Sequence, residues 1–139
     1  MIPNSLLHVD SPALLVDRGR MLENIHAMAQ TMKGQGVDLR PHFKTSKMIE
    51  VAQLQLGAGA VGLTCSTWAE ASALIDSGCD DIFWANSTAT ATKARLAAAA
   101  NRRATVAVGL DSPELGSLLS EAALREGSTV PVLLEIDTG

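Results

Sequence analysis

Arg40-Pro41-His42-Phe43-Lys44-Thr45-Ser46-Lys47 joins two different residue patterns. Upstream of it the apolar run Val37–Phe43 reads as a strand. Downstream, Met48–Leu56 carries apolar residues at helical spacing and is stopped by Gly57 and Gly59. Lys44 is thereby expected at the C-terminal end of a strand, where barrels and open α/β sheets assemble their sites. A lysine in that position has two readings on the residues alone. It is either an exposed lysine at a strand end, or an amine desolvated enough to attack a carbonyl. His42 is two residues earlier and is expected on the same face of the strand. It reads equally as a hydrogen-bonded core histidine and as a site residue.

The same strand-then-helix rhythm extends in both directions. Ala13–Val16, Ala60–Cys65, Asp81–Ala85, Thr105–Leu110 and Val130–Ile136 are further strand candidates. From Val37 onward strand starts recur about every 21–26 residues, the length of a compact strand–helix unit. Helical patterns fill the gaps. Leu22, Ile25, Ala29 and Met32 lie on one helical face, with Asp17 as the expected cap and Gly34 and Gly36 as the stop. Thr67-Trp68-Ala69-Glu70 fits a capping box for a third helix that ends at Gly78. A fourth is expected over Thr90–Ala100, and a fifth opens at Ser112-Pro113-Glu114. Repeated units of this kind build either a barrel or a doubly wound open sheet.

Composition narrows the class. The 139 residues are 47% hydrophobic and 19% charged, with 3% aromatics and no tyrosine, so the core is built from Ala, Leu, Val and Ile. A net charge of −4 without a basic run speaks against nucleic acid as partner. No stretch of about 18 apolar residues is present, which excludes a membrane-spanning helix. Met1-Ile2-Pro3-Asn4 lacks the basic and apolar regions of a signal peptide, so a cytoplasmic protein is expected. Cys65 and Cys79 read as reduced, buried thiols. Gly57-Ala58-Gly59-Ala60-Val61-Gly62 matches the dinucleotide pattern, but it follows a helix and enters a strand, which is the reverse of the required order. His8, His26 and His42 have no ligand-like spacing, and no metal site is expected in these residues.

Several blocks together carry a resemblance. They are Ser11–Asp17, Arg40–Thr45, Gly59–Cys65, Ala69-Glu70-Ala71, Asp80-Asp81-Ile82, Ala85-Asn86 and Glu135-Ile136-Asp137-Thr138-Gly139, in order over nearly the whole chain. They resemble the D-threonine aldolase and D-serine dehydratase family, fold-type III enzymes that use pyridoxal 5'-phosphate (PLP). The resemblance implies a partial (β/α)8 barrel of the alanine racemase N-terminal type, with about five of eight strands in residues 1–139. It implies that Ala13–Val16 pairs with a later β-domain and that Val37–Phe43 is the first barrel strand. It makes Lys44 the cofactor-bearing lysine. His42, on the same face, and Asn86, at a strand end, are then expected as further cofactor contacts; Asn86 also reads as a helix cap. Thr64 and Cys65 are expected at the barrel mouth, Trp68 and Trp84 in the core or a dimer contact, and Lys47 as an exposed lysine in the first helical turn. The family usually has histidine where this chain has Ser46, so no role near the cofactor follows for that side chain.

By the same resemblance the chain is the N-terminal part of a longer enzyme. An arginine near the cofactor, the phosphate-binding loops and the ligands of a divalent metal lie beyond Gly139, and the intact protein is a homodimer. The implied reaction is Cα–Cβ cleavage of a D-3-hydroxy amino acid to glycine and an aldehyde. The alternatives are loss of the 3-hydroxyl, as in a D-serine dehydratase, and racemase-like chemistry. A non-catalytic PLP carrier and a cofactor-free α/β binding module are the rivals from outside enzymology, and PLP-dependent absorbance separates the last from all the others.

Overall fold

The computed structural model describes residues 8–86, 90–136 and 138–139. Asp137 of the closing block and residues 1–4, on which the leader reading rests, lie outside them. The order of elements is α1 (Arg18–Gly34), α2 (Ile49–Gly57), β1 (Leu63–Cys65), α3 (Trp68–Asp76), β2 (Asp81–Trp84), α4 (Ala91–Ala100), β3 (Thr105–Leu110), α5 (Pro113–Glu126) and β4 (Val132–Leu134).

The four strands form one parallel sheet in the order β1-β2-β3-β4. A doubly wound sheet reverses its strand order at a switch point. Here spatial order follows chain order without reversal, as in an arc of a barrel. Side chains alternate accordingly. Leu63, Cys65, Ile82, Trp84, Val106 and Val108 are buried and share one core with Ala71 and Leu74 of α3, Ala94, Ala97 and Ala98 of α4, and Leu115 and Leu119 of α5. Their neighbours Thr64, Phe83 and Ala107 are half-buried on the other face, which the full barrel would enclose. Alanine on the inner side of α4 lets α4 and α5 approach each other closely, and the Ala97–Ala100 run belongs to that packing.

Local signals explain the helix ends. Asp17 accepts the Arg20 N–H at 3.0 Å and starts α1. Thr67 accepts the Glu70 N–H and Thr90 the Lys93 N–H, starting α3 and α4. Ser112 has the extended backbone of a cap and Pro113 is first in the helix, but the Ser112 hydroxyl makes no cap bond. Gly127 closes α5 at φ 61°, a left-handed conformation that glycine adopts without steric cost.

Two expected strands differ. The segment 37–43 is not a ladder strand; its one bridge is His42 to Thr64. It still runs parallel to β1, through Val61 N–H to Leu39 O, Thr64 N–H to Pro41 O and Phe43 N–H to Thr64 O. Pro41 contributes no N–H, which breaks the ladder between those contacts. Residues 13–16 form no regular element, and Leu14, Leu15 and Val16 are exposed. A strand without a neighbour has no partner for its backbone groups, so the apolar pattern alone produces none.

The last glycine of the dinucleotide-like stretch has a packing role. The Arg40 guanidinium crosses over Gly62 to grip Asp81 with two bonds of 2.9 Å each. A Cβ at Gly62 would collide with that guanidinium and with the Asp81 carbonyl.

Candidate active site around Lys44

Lys44 lies in a tight turn just past the His42 bridge, at the C-terminal end of the sheet. The Lys47 N–H closes the turn on Phe43 O at 2.9 Å. Phe43 anchors its start, with a side chain only 4% exposed. The Lys44 side chain is exposed and makes no hydrogen bond or ion pair among the described residues.

His42 stands beside it. Its Nδ1 accepts the Lys44 backbone N–H at 3.2 Å. In the neutral ring the proton is therefore on Nε2, which donates to Ser66 Oγ at 3.4 Å. Burial, and next the Lys44 charge, hold the His42 pKa below the ordinary imidazole value against the opposing pull of Glu70. The neutral form is the one this geometry requires.

Ser66 is the hub that sequence reasoning missed. Its N–H donates to Glu70 Oε2 at 2.8 Å. Its carbonyl accepts from Trp84 Nε1 at 3.2 Å and from Asn86 Nδ2 at 3.1 Å. Asn86 thus joins the cluster through Ser66. The available signal was spacing: Ser66 is two residues beyond Thr64, the bridge partner of His42, and so continues its face. Trp68 and Trp84 pack together with ring centroids 5.7 Å apart.

Below this layer is Glu70, 5% exposed. The expected capping box takes in one residue more, since the carboxylate accepts the Ser66 N–H at 2.8 Å and is also favoured by the backbone of Thr67. Burial alone would raise its pKa. The Ser66 N–H, the Lys47 ammonium and the Thr67 backbone outweigh that and hold it below the usual carboxylate range. Lys47 differs from expectation. It precedes α2, takes a left-handed backbone at φ 50°, and places Nζ 3.1 Å from Glu70 Oε1.

Cys65 is not at the mouth. Its thiol is fully buried on the helix-facing side, and burial, followed by the charge of Glu70, pushes its pKa up to about 12. Cys79 is also buried, and both cysteines are free. No cluster of potential metal ligands occurs among the described residues. No helix among them is long and apolar enough to cross a membrane.

The alanine racemase N-terminal domain family matches residues 16–139. The chain belongs to that family. Among curated proteins it is 38% identical over 135 residues to a D-threo-3-hydroxyaspartate dehydratase of Delftia sp. (strain HT23), covering 97% of this chain and 36% of the relative. It is 34% identical over 134 residues to a D-threonine aldolase of Arthrobacter sp., covering 96% and 35%. The crystal structure of D-threonine aldolase from Filomicrobium marinum superposes with a TM-score of 0.93 at 36% identity, over 96% of this chain and 36% of that one. The chain therefore spans about a third of the length of these relatives. The family is one of PLP enzymes, and the partial barrel expected from the sequence is the fold observed.

Proposed function

We propose that this chain is the N-terminal part of the barrel of a PLP-dependent lyase acting on D-3-hydroxy amino acids, with Lys44 as the lysine that carries the cofactor. The observation behind it is an exposed Lys44 side chain without a hydrogen-bond or ion-pair partner among the described residues, in the turn just past the His42 bridge at the C-terminal end of the sheet, in a family of PLP enzymes with similar aldolases and dehydratases. That lysine suits a cofactor held through an amine, because no competing partner has to be displaced from Nζ. When bound, PLP supplies an electron sink for charge that develops at the substrate Cα.

The chain's own residues orient that chemistry. His42, kept neutral, fixes the Lys44 backbone through Nδ1 and holds the Ser66 hydroxyl through Nε2. Asn86 and Trp84 fix Ser66 from the other side. This gives His42 and Asn86 roles in shaping the floor beside the cofactor. The phosphate-binding loops, the divalent metal and the partner subunit belong, in this reading, to the rest of the intact protein, which is a cytoplasmic homodimer.

Aldol cleavage to glycine and an aldehyde is the form proposed. Elimination of the 3-hydroxyl is the second reading, favoured by the 38% identity to a dehydratase. The intact protein is tested with D-threonine, D-serine and their L-isomers, measuring glycine, aldehyde and keto acid. Turnover of the D-isomers with release of aldehyde is expected. Keto acid without aldehyde moves the assignment to elimination, and turnover of L-isomers alone overturns D-specificity. Lys44→Ala is expected to abolish both turnover and the visible absorbance of bound cofactor; retention of either refutes the role of Lys44.

A further inference from the structure

Two lysines three positions apart flank one turn, yet their surroundings are opposite. Lys44 Nζ has no partner, whereas Lys47 Nζ is held against a carboxylate that is itself almost wholly buried. Lys47 also adopts a left-handed backbone at φ 50°, which a non-glycine residue keeps only when its surroundings enforce it. Two contacts enforce it: the Lys47 N–H to Phe43 O bond and the Nζ to Glu70 ion pair. Glu70 is fixed in turn by the Ser66 N–H and by its place in the first turn of α3. The Lys44 turn is therefore tied at its far end to the neighbouring strand–helix unit through a single charged contact.

We infer that Lys47 and Glu70 form a latch that positions the Lys44 turn and keeps the Lys47 amine occupied, so that an aldehyde cofactor is directed to Lys44. Both are positioning residues. The inference rests on the reading of Lys44 as the cofactor lysine and adds how the chain discriminates between its two adjacent amines. Glu70 has a buried carboxylate with no other cation within an ion-pair distance among the described residues, so losing Lys47 leaves that charge without its counterion.

The test uses the intact protein stripped of cofactor, then exposed to stoichiometric pyridoxal 5'-phosphate, reduced with borohydride and mapped by peptide mass. In the wild type the label is expected on Lys44 with little on Lys47. Glu70→Gln keeps an acceptor for the Ser66 N–H but removes the ion pair. It is expected to raise the Lys47 share of label by about five- to tenfold, within the range of one ordinary intramolecular hydrogen bond, because the Lys47 end of the pair is solvent-exposed. Lys47→Met is expected to slow labelling of Lys44 by a similar factor, and Lys47→Arg to restore it, because the guanidinium still reaches Glu70. Circular dichroism and thermal melting identify any variant that fails to fold. If Glu70→Gln does not fold, the comparison of Lys47→Met with Lys47→Arg decides. An unchanged label ratio in folded Glu70→Gln, or equal Lys44 labelling rates in both Lys47 variants, overturns the latch. Wild-type label on Lys47 instead of Lys44 overturns the underlying assignment as well.

Discussion

Lys44, His42 and Asn86 were legible as candidates because each closes an apolar run at the same end of the sheet. What joins them was not. Ser66 carries no distinctive residue chemistry, and its importance comes from four bonds, one to Glu70 at the start of α3 and three to His42, Trp84 and Asn86, which are distant in sequence. Asn101 is similar: it reads as a helix end, yet its amide clamps α4 to β3 by bonding Ala97 O, Val106 O and the Val106 N–H. Cys65 shows the converse, because a strand-end position suggested the mouth while the pleat turned its thiol to the helices. A thiol reacts as thiolate. With its pKa pushed up to about 12 and no exposed surface, Cys65 is expected to resist alkylation at pH 8 in the folded protein and to react at once in guanidinium. Rapid modification of the native protein at Cys65, read by peptide mass, contradicts the burial described.

Helices were read well from sequence because caps and stops are local: Asp17, Thr67, Thr90 and Gly127 act on backbone within a turn of themselves. Strands need partners, and the two expected runs that form no ladder, 13–16 and 37–43, are those whose pairing among the described residues is absent or reduced to one bridge. The start of α3 carries a pH consequence. Glu70 has a folded pKa below its unfolded value, so the folded state binds fewer protons than the unfolded state as pH falls. Its contribution is complete above the unfolded carboxylate pKa of about 4.5 and is lost as pH falls through the lower folded value. Thermal melting of the wild type is therefore expected to fall more steeply below about pH 4.5 than that of Glu70→Gln. Parallel acid profiles for the two would remove Glu70 from the acid response.

Across the molecule the sheet has one finished face and one bare face. On the bare side Phe83, Ala85, Gly109, Leu133 and Glu135 line a hollow of about 360 Å³, and β4 has its residues exposed on both sides. Burying apolar surface is worth about 25 cal/mol per Å², and an unpaired sheet edge offers backbone groups to another chain. The polypeptide 1–139 by itself is expected to self-associate, and Leu133→Lys to reduce that association, as measured by sedimentation. A monomeric wild-type polypeptide at high concentration would show that the bare face needs no cover. The barrel reading survived from sequence to structure because the recurrence of strand–helix units is a property of the whole chain, and one missing ladder at 37–43 does not disturb it.

The tryptophan pair has an optical consequence. The chain has two tryptophans and no tyrosine, so its ultraviolet emission comes from Trp68 and Trp84 alone. Those rings lie 5.7 Å apart, and Trp84 is bonded to the Ser66 carbonyl beside His42. A chromophore attached at Lys44 and absorbing where indole emits would take up their excitation. Adding the cofactor to this 139-residue chain is expected to dim the emission, and to leave it bright in the same chain carrying Lys44→Ala, so these residues carry a built-in lamp for occupancy of Lys44.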